Sequence, residues 1–327
     1  MQQILANIVL SLMHPVLVAR FVLNCRHLPS VAVPETTDEK YLWRKIFDRN
    51  PLFVILSDKL ETKRYMAERF PTVQTAQVLW EGDDIRSAPR ELLTSPGFLK
   101  ANHASGFNFR LGAGELNLAE LHRMTRKWLR VRYHTKHGEW GYAGVTPRLF
   151  IEEDLGANAT EELTDFTVYA YDERITHFVT MHGHKTNHVK VARFDSGGQR
   201  LARPLAGACK VIGKDQDGQE IMASVLPQTY RLPPEFEQML SYSREITKGC
   251  DHLRVDFIWN GHDFFLTEVT IYSMAGYIVY EDEALIQQMA DTWDLRESWL
   301  LLTPQSGWRK LYANWLSKRL QHDPKHV

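Results

Sequence analysis

LRVDFIWNGHDFFLTEVTIYSMAG, residues 253–276, decides how the rest of the chain is read. Val255, Phe257 and Trp259 alternate, Asn260-Gly261 supplies a turn, and Phe264 to Val269 returns apolar, so the stretch predicts two strands of a hairpin. Asp256 lies in the first strand and Glu268 near the end of the second. In an antiparallel pair such residues can point to one face, a few ångströms apart. Two carboxylates converging from an apolar hairpin are costly to bury unless a positive charge lies between them. Mg²⁺ on a nucleotide phosphate answers that need, because a hard cation takes oxygen ligands. Arg254 adds a fixed positive charge of the kind that steadies a transferring phosphoryl group. The competing reading is an ordinary hairpin with both carboxylates on its wet face, since short spacings often match by chance.

The 327 residues suffice for two or three subdomains with a real core. Apolar content of 44% and charged content of 24% are those of an ordinary soluble globular protein. A net charge of -1 gives no global field for nucleic acid. Cys25, Cys209 and Cys250 form no CxxC pair, which suggests neither a zinc site nor a disulfide framework and fits a reducing cytoplasm. The apolar N-terminus is interrupted by Asn7, His14, Pro15 and Arg20, so a transmembrane helix or a signal peptide fits poorly. It predicts one or two short helices broken near Pro15, packed in the core or lying on a membrane, with the core reading preferred.

A helix starting at Thr37-Asp38 should run through EKYLWRKIF and stop at Asp48-Arg49-Asn50-Pro51. LFVIL (52–56) is a short apolar segment, and Ser57 or Asp58 caps the next helix, KLETKRYMAERF. FLKANHASGFNFRLG (98–112) begins as a strand and runs into a loop of small residues. Leu118, Leu121, Trp128 and Leu129 mark an amphipathic helix, and PRLFIEEDLG (147–156) a strand ending in acids. Residues 163–181 read as a hairpin turning at Asp172-Glu173, 233–248 as a helix after Pro233-Pro234, and about 281–302 and 306–321 as two C-terminal helices. Hairpins mixed with helices indicate α+β.

Four separated segments look like parts of one nucleotide site. Lys59 opens a helix, where a phosphate would also meet free backbone N–H groups. Lys100 precedes a loop in which Ser105 and Gly106 let backbone amides approach phosphate. The acids of IEEDLG could accept from an adenine amine or a ribose hydroxyl, and the hairpin brings Asp256 and Glu268 for metal. This order resembles the ATP-grasp superfamily: SDKLETK and RVDF…TEVT look like the corresponding pieces of D-alanine–D-alanine ligases. The ordered set EKYLWRKIFDRNPLFVILSDK, FLKANHASGFN, WGY, PRLFIEEDLG, DFTVYAY and RVDF…LTEVTIYS is similar to the TupA-like ATP-grasp family of polysaccharide and teichuronopeptide biosynthesis, over about residues 37–276.

The resemblance implies an ATP-grasp fold with ATP between two α+β subdomains, 58–155 and 156–280, flanked by helical regions 1–57 and 281–327. It implies Lys59 and Lys100 on the phosphates, Glu152 and Glu153 at the adenine and ribose end, Arg254 facing the transferred phosphoryl group, and Asp256 and Glu268 as Mg²⁺ ligands. His103, Asp165 and Lys190 join the nucleotide set. Thr270 stands where many such enzymes carry a metal-binding Asn, and Thr167 where the TupA-like group tends to have Lys, a contact that Lys185, Lys190 or Arg193 could replace. The implied activity is amide formation between a carboxylate, such as a uronic acid or an acidic glycopeptide, and an amine. The alternatives are a phosphotransferase acting on a sugar hydroxyl and a non-catalytic nucleotide-binding protein. HGHKTNHVKVAR, with His182, His184 and His188, reads as a basic flap over phosphates rather than a metal site. In the last helix, Trp308, Leu311, Tyr312, Trp315, Leu316 and Leu320 form a stripe beside several basic residues; it packs on the body or lies on the inner face of an anionic membrane.

Overall fold

The structure is a computed structural model, and it describes residues 2–157, 159, 162–183, 189–201, 211–214, 220–277 and 282–321. In chain order, α1 (Gln2–Met13) and α2 (Pro15–Cys25) meet at a 103° bend, as Pro15 predicts. Next come α3 (Thr37–Ile46), α4 (Leu52–Ser57), α5 (Lys59–Arg69), β1 (Gln74–Thr75), β2 (Val78–Gly82), α6 (Arg90–Thr94), β3 (Gly97–Ala101), β4 (Asn108–Leu111), α7 (Leu118–Leu129), α8 (His134–His137) and β5 (Leu149–Glu153). A run of strands follows: β6 (Thr164–Tyr171), β7 (Arg174–His182), β8 (Lys190–Asp195), β9 (Val211–Lys214), β10 (Glu220–Met222) and β11 (Ser224–Val225). The chain then forms α9 (Phe236–Thr247), β12 (Leu253–Trp259), β13 (Phe264–Thr270), α10 (Glu283–Thr292), α11 (Trp299–Leu302) and α12 (Gly307–Gln321).

The fold is α+β. Among the described residues, seven strands form one sheet in the order β1-β13-β12-β6-β7-β8-β11, antiparallel except for the two short edge strands. Four strands form a second, antiparallel sheet, β2-β5-β3-β4. Each sheet has its own core. The larger buries Phe166, Val168, Val255 and Phe257 against α3, α9, α10 and α12, and the smaller buries Leu99, Leu149 and Ile151 against α7.

α3 ties the large core together through polar groups that periodicity does not announce. Lys40, Arg44 and Lys45 are all buried. Lys40 Nζ donates to the Ala290 and Trp293 carbonyls at the end of α10, where the helix leaves acceptors unused. Arg44 pairs with buried Asp251 at 2.7 Å and donates to the Ile271 carbonyl, clamping both outer ends of the β12–β13 hairpin. Asp251 also accepts from Trp293 Nε1.

Several boundaries differ from the sequence expectations. Thr36, not Thr37 or Asp38, caps α3, because its side chain reaches Glu39 N while Glu39 returns to the Thr36 amide in a capping box. LFVIL is helical, its apolar residues set on the core. The expected 281–302 helix breaks after Thr292, where Asp294 caps a separate short turn. The α12 stripe packs mostly on the body: Tyr312, Leu316 and Leu320 are buried, and Tyr312 stacks on Phe47. Trp308 and Leu311 remain outside.

Candidate active site

Strand alternation on β12 sends Leu253, Val255 and Phe257 into the core and turns Arg254, Asp256 and Ile258 to the other face. Strict alternation on β13 would carry Glu268 to the core with Phe264 and Leu266. A β-bulge prevents this: Phe257 pairs with Leu266, but Asp256 pairs with Glu268, leaving Thr267 as the extra residue. Thr267 and Glu268 therefore share the open face, and Val269 returns to the core. Thr267 Oγ1 donates to the Asp256 carbonyl at 3.1 Å and helps hold the bulge. The bulge is foreshadowed in the apolar spacing 264, 266, 269, which departs from a period of two.

Arg254 grips Asp256 through Nε at 3.0 and 3.1 Å to its two oxygens, and donates to Ser273 Oγ. Burial pushes the Asp256 carboxyl above its ordinary range, and Arg254 opposes this. Glu268 is one-third exposed and faces Lys59 Nζ at 3.4 Å. Burial would raise its carboxyl, but Lys59 and then Arg254 outweigh that and hold it below the usual range.

On the small sheet, Phe98 lies opposite Glu152 in register, so Lys100 and Glu152 are diagonal neighbours on one face. Lys100 Nζ donates to Glu152. The other Glu152 oxygen pairs with Lys63 at 3.1 Å. Burial would raise the Glu152 carboxyl, but Lys100 and Lys63 hold it below the ordinary range. Lys63 was not anticipated; the signal is its position four residues after Lys59, on the same face of α5. Lys63 Nζ also donates to the Ala76 carbonyl, and Glu153 accepts from Gln77 N, so both anchor the link between β1 and β2.

The two faces line one cavity of about 600 Å³. Lys59, Lys100, Ser105, Gly106, Glu152 and Glu153 reach it from the α5 and small-sheet side, and Asp165, Arg254, Asp256 and Glu268 from the large sheet. Thr167, whose place the family resemblance would give to Lys, also lines it.

Four of the expected groups stand outside the cavity lining or are already engaged. The amides at the start of α5 are not free for phosphate: Asp58 accepts from Leu60 N and Glu61 N, and Lys59 N donates to the Asn102 carbonyl. His103 does not line the cavity; its ring is buried with Nε2 against the Trp128 carbonyl at 3.2 Å, and burial lowers its pKa. Lys190 is exposed at the start of β8, outside the lining. Thr270 lies beyond the lining as well, its hydroxyl 3.4 Å from Asp256. Of the basic segment, His184, Lys185 and His188 fall outside the described residues. Among the described residues no cluster of three His, Cys, Asp or Glu could hold a metal by itself. The protein supplies a carboxylate pair, so a cation here would need further oxygens from its ligand.

No protein-family model and no curated protein matches the chain. Among solved structures, D-alanine–D-alanine ligase from Bacillus anthracis is similar at 15% identity and a TM-score of 0.38, over 82% of this chain and 69% of that one. The ligase of the same name from Helicobacter pylori is similar at 10% identity and a TM-score of 0.42, over 79% and 69%. The ATP-grasp ligase PsnB, complexed with a phosphomimetic variant of its minimal precursor, Mg and ADP, is similar at 10% identity and 0.39, over 74% and 60%. At these scores the argument for function rests on the cavity itself.

Proposed function

We propose that this chain is an ATP-dependent carboxylate–amine ligase of the ATP-grasp superfamily, of its TupA-like kind. The observation that carries the reading is the meeting, in one cavity, of Lys59 and Lys100 from one side with Arg254, Asp256 and Glu268 from the other. Lys59, Lys100 and Arg254 suit a triphosphate, and an in-register carboxylate pair suits the hard cation that accompanies it. The residues fit Mg²⁺: Glu268 and Asp256 present oxygens to the cavity, and the phosphates would complete the ligand set. Bound there, Mg²⁺ would supply charge neutralisation on the phosphates. In this reading residues 58–155 and 156–280 enclose the nucleotide, with 1–57 and 281–327 as extensions. Glu152 and Glu153 stand at the nucleoside end, and Ser105 and Gly106 beside the phosphates.

The reaction follows from the charges. A substrate carboxylate oxygen attacks the γ-phosphorus, the bond to ADP breaks, and Lys100 and Arg254 offset the charge that develops. The amine then attacks the acyl carbon, phosphate leaves, and the amine's proton passes to solvent. By family resemblance the carboxylate belongs to a uronic acid or acidic glycopeptide of a cell-surface polysaccharide precursor, the amine to an amino acid, and the place of work is the cytoplasm. ADP release with candidate uronates and amino acids, and trapping of the acyl phosphate by hydroxylamine, test the proposal. Hydroxamate formation supports ligation. A stable phosphate ester in its place would make the protein a phosphotransferase, and tight nucleotide binding without turnover would make it a non-catalytic binder.

A further inference from the structure

α1 is inside out. Ile4, Leu5, Ile8, Val9, Leu12 and Met13 are 47% to 73% exposed, and at 100° per residue they fall within one half of the helix. The inward half carries Leu10, buried in the large core, beside Asn7 and Gln3, which bond to the body of the protein. Asn7 Nδ2 donates to the Pro29 carbonyl and Asn7 Oδ1 accepts from Ala32 N, both at 3.1 Å. Gln3 Oε1 accepts from Arg319 of α12 at 2.7 Å. A helix facing water turns its apolar half the other way. The pattern continues past the bend: Val16 and Leu23 of α2 are 62% and 78% exposed, and Leu28 beyond it 82%.

The charges on these three helices have one sign. α1, α2 and α12 contain no acidic residue, while α12 carries Lys310, Lys318 and Arg319, all exposed, with Arg319 held beside α1 by its bond to Gln3. Arg26 adds an exposed cation at the end of α2. A second copy of the same face would bring these cations together, which disfavours a self-pair; an anionic surface suits them.

We infer that α1 and α2 form an interfacial anchor that lies in the surface of an anionic lipid bilayer, apolar faces in the acyl boundary and the α12 cations on the headgroups. At 12 residues α1 is about 18 Å long, short of a bilayer core of about 30 Å, and the 103° bend prevents the pair from crossing as one rod. The helices therefore lie in the plane of the interface. This assigns membrane contact to the N-terminal pair, with α12 contributing charge, and it stands independently of what the cavity binds.

The test is flotation of the full chain with vesicles of phosphatidylcholine, with and without phosphatidylglycerol. The wild type should float with the anionic vesicles, and less so as salt is raised. Leu5→Glu combined with Leu12→Glu should weaken partitioning at least about tenfold, with circular dichroism and thermal midpoint unchanged because both side chains point away from the body. Lys310→Glu with Lys318→Glu should remove the preference for anionic lipid. The inference is overturned if the wild type does not float, or if the double leucine variant floats equally well. It is also overturned if light scattering shows a wild-type dimer that the leucine variant splits while neither floats, in which case a second copy covers the face.

Discussion

Replacing Lys100 by Met separates a nucleotide contact from a structural ion pair. Lys100 Nζ lines the cavity and donates to Glu152, and its side chain is 24% exposed. The variant keeps the aliphatic stem and loses the charge. Glu152 retains Lys63 at 3.1 Å, so the remaining carboxylate is not left unpaired. After allowance for solvent, the lost pair should cost about 1 kcal/mol of stability. A charge-assisted contact to phosphate is worth roughly 1.5–3 kcal/mol, which weakens nucleotide binding about 10- to 150-fold. If the same cation also offsets charge in the transition state, turnover should fall by a further factor on the order of 10²–10³. Titration with a fluorescent nucleotide, ADP release and urea unfolding measure the three effects separately. Lys63→Met is the control: Lys63 holds Glu152 and the Ala76 carbonyl from outside the lining, so it should lower stability more than affinity. If Lys100→Met shifts the urea midpoint yet binds nucleotide within about twofold of wild type, the cavity does not grip phosphate through this lysine and the reasoning fails.

Glu268→Gln should leave nucleotide binding nearly intact without Mg²⁺ and cut the gain from adding Mg²⁺ by roughly tenfold or more, since it removes one of two carboxylate donors; calorimetry with and without the ion reads this difference. Deleting Thr267 removes the bulge and restores strict alternation, so Glu268 should follow Leu266 directly on the open face, still opposite Asp256, while Val269 stays in the core. The expected result is a loss of only about 1 kcal/mol, from the Thr267 hydrogen bond to the Asp256 carbonyl, with Mg²⁺ dependence retained, and loss of that dependence would refute the facing assigned to Glu268. Asp48 is buried, and burial followed by the charge of Asp251 pushes its carboxyl from 3.8 up to about 7. Between pH 4 and 7 the folded state therefore holds a proton that the unfolded state has lost, so stability falls as pH rises through that window and levels off above it. Asp48→Asn should flatten this slope and raise stability at pH 8 by roughly 2–4 kcal/mol, with little change at pH 4; an unchanged slope would show that another group carries it.

The reaching pieces of the site were legible in the chain because each rests on local pattern. Alternation marked β12 and β13 and the Asn260-Gly261 turn joined them, but the pairing of Asp256 with Glu268 needed the bulge at Thr267, which strict alternation does not give. Lys100 was placed on a strand ahead of a small-residue loop for the same reason. The misses are residues whose role depends on what lies across space. His103 sits in a loop rich in polar residues, yet its ring turns away to the Trp128 carbonyl, 25 positions along the chain. Lys63 came to hold Glu152 from outside the cavity only because β5 brings that carboxylate under α5. The start of α5 looked open to an anion until Asp58 and the Asn102 carbonyl took up its geometry.

From its order of residues alone the chain determined which segments are helices and strands, where most of them stop, and which acids and lysines each of them carries. Folding in three dimensions decided which faces meet. The N-terminal pair shows why. Periodicity establishes that α1 has an apolar half and a polar half, but not which of them turns inward. That choice fell to Leu10, buried in the large core, to Asn7, whose amide finds Pro29 and Ala32, and to Arg319 reaching Gln3 from the other end of the chain. A hydrogen bond between residues so far apart leaves no repeating trace along either segment, and only the folded structure places the partners together.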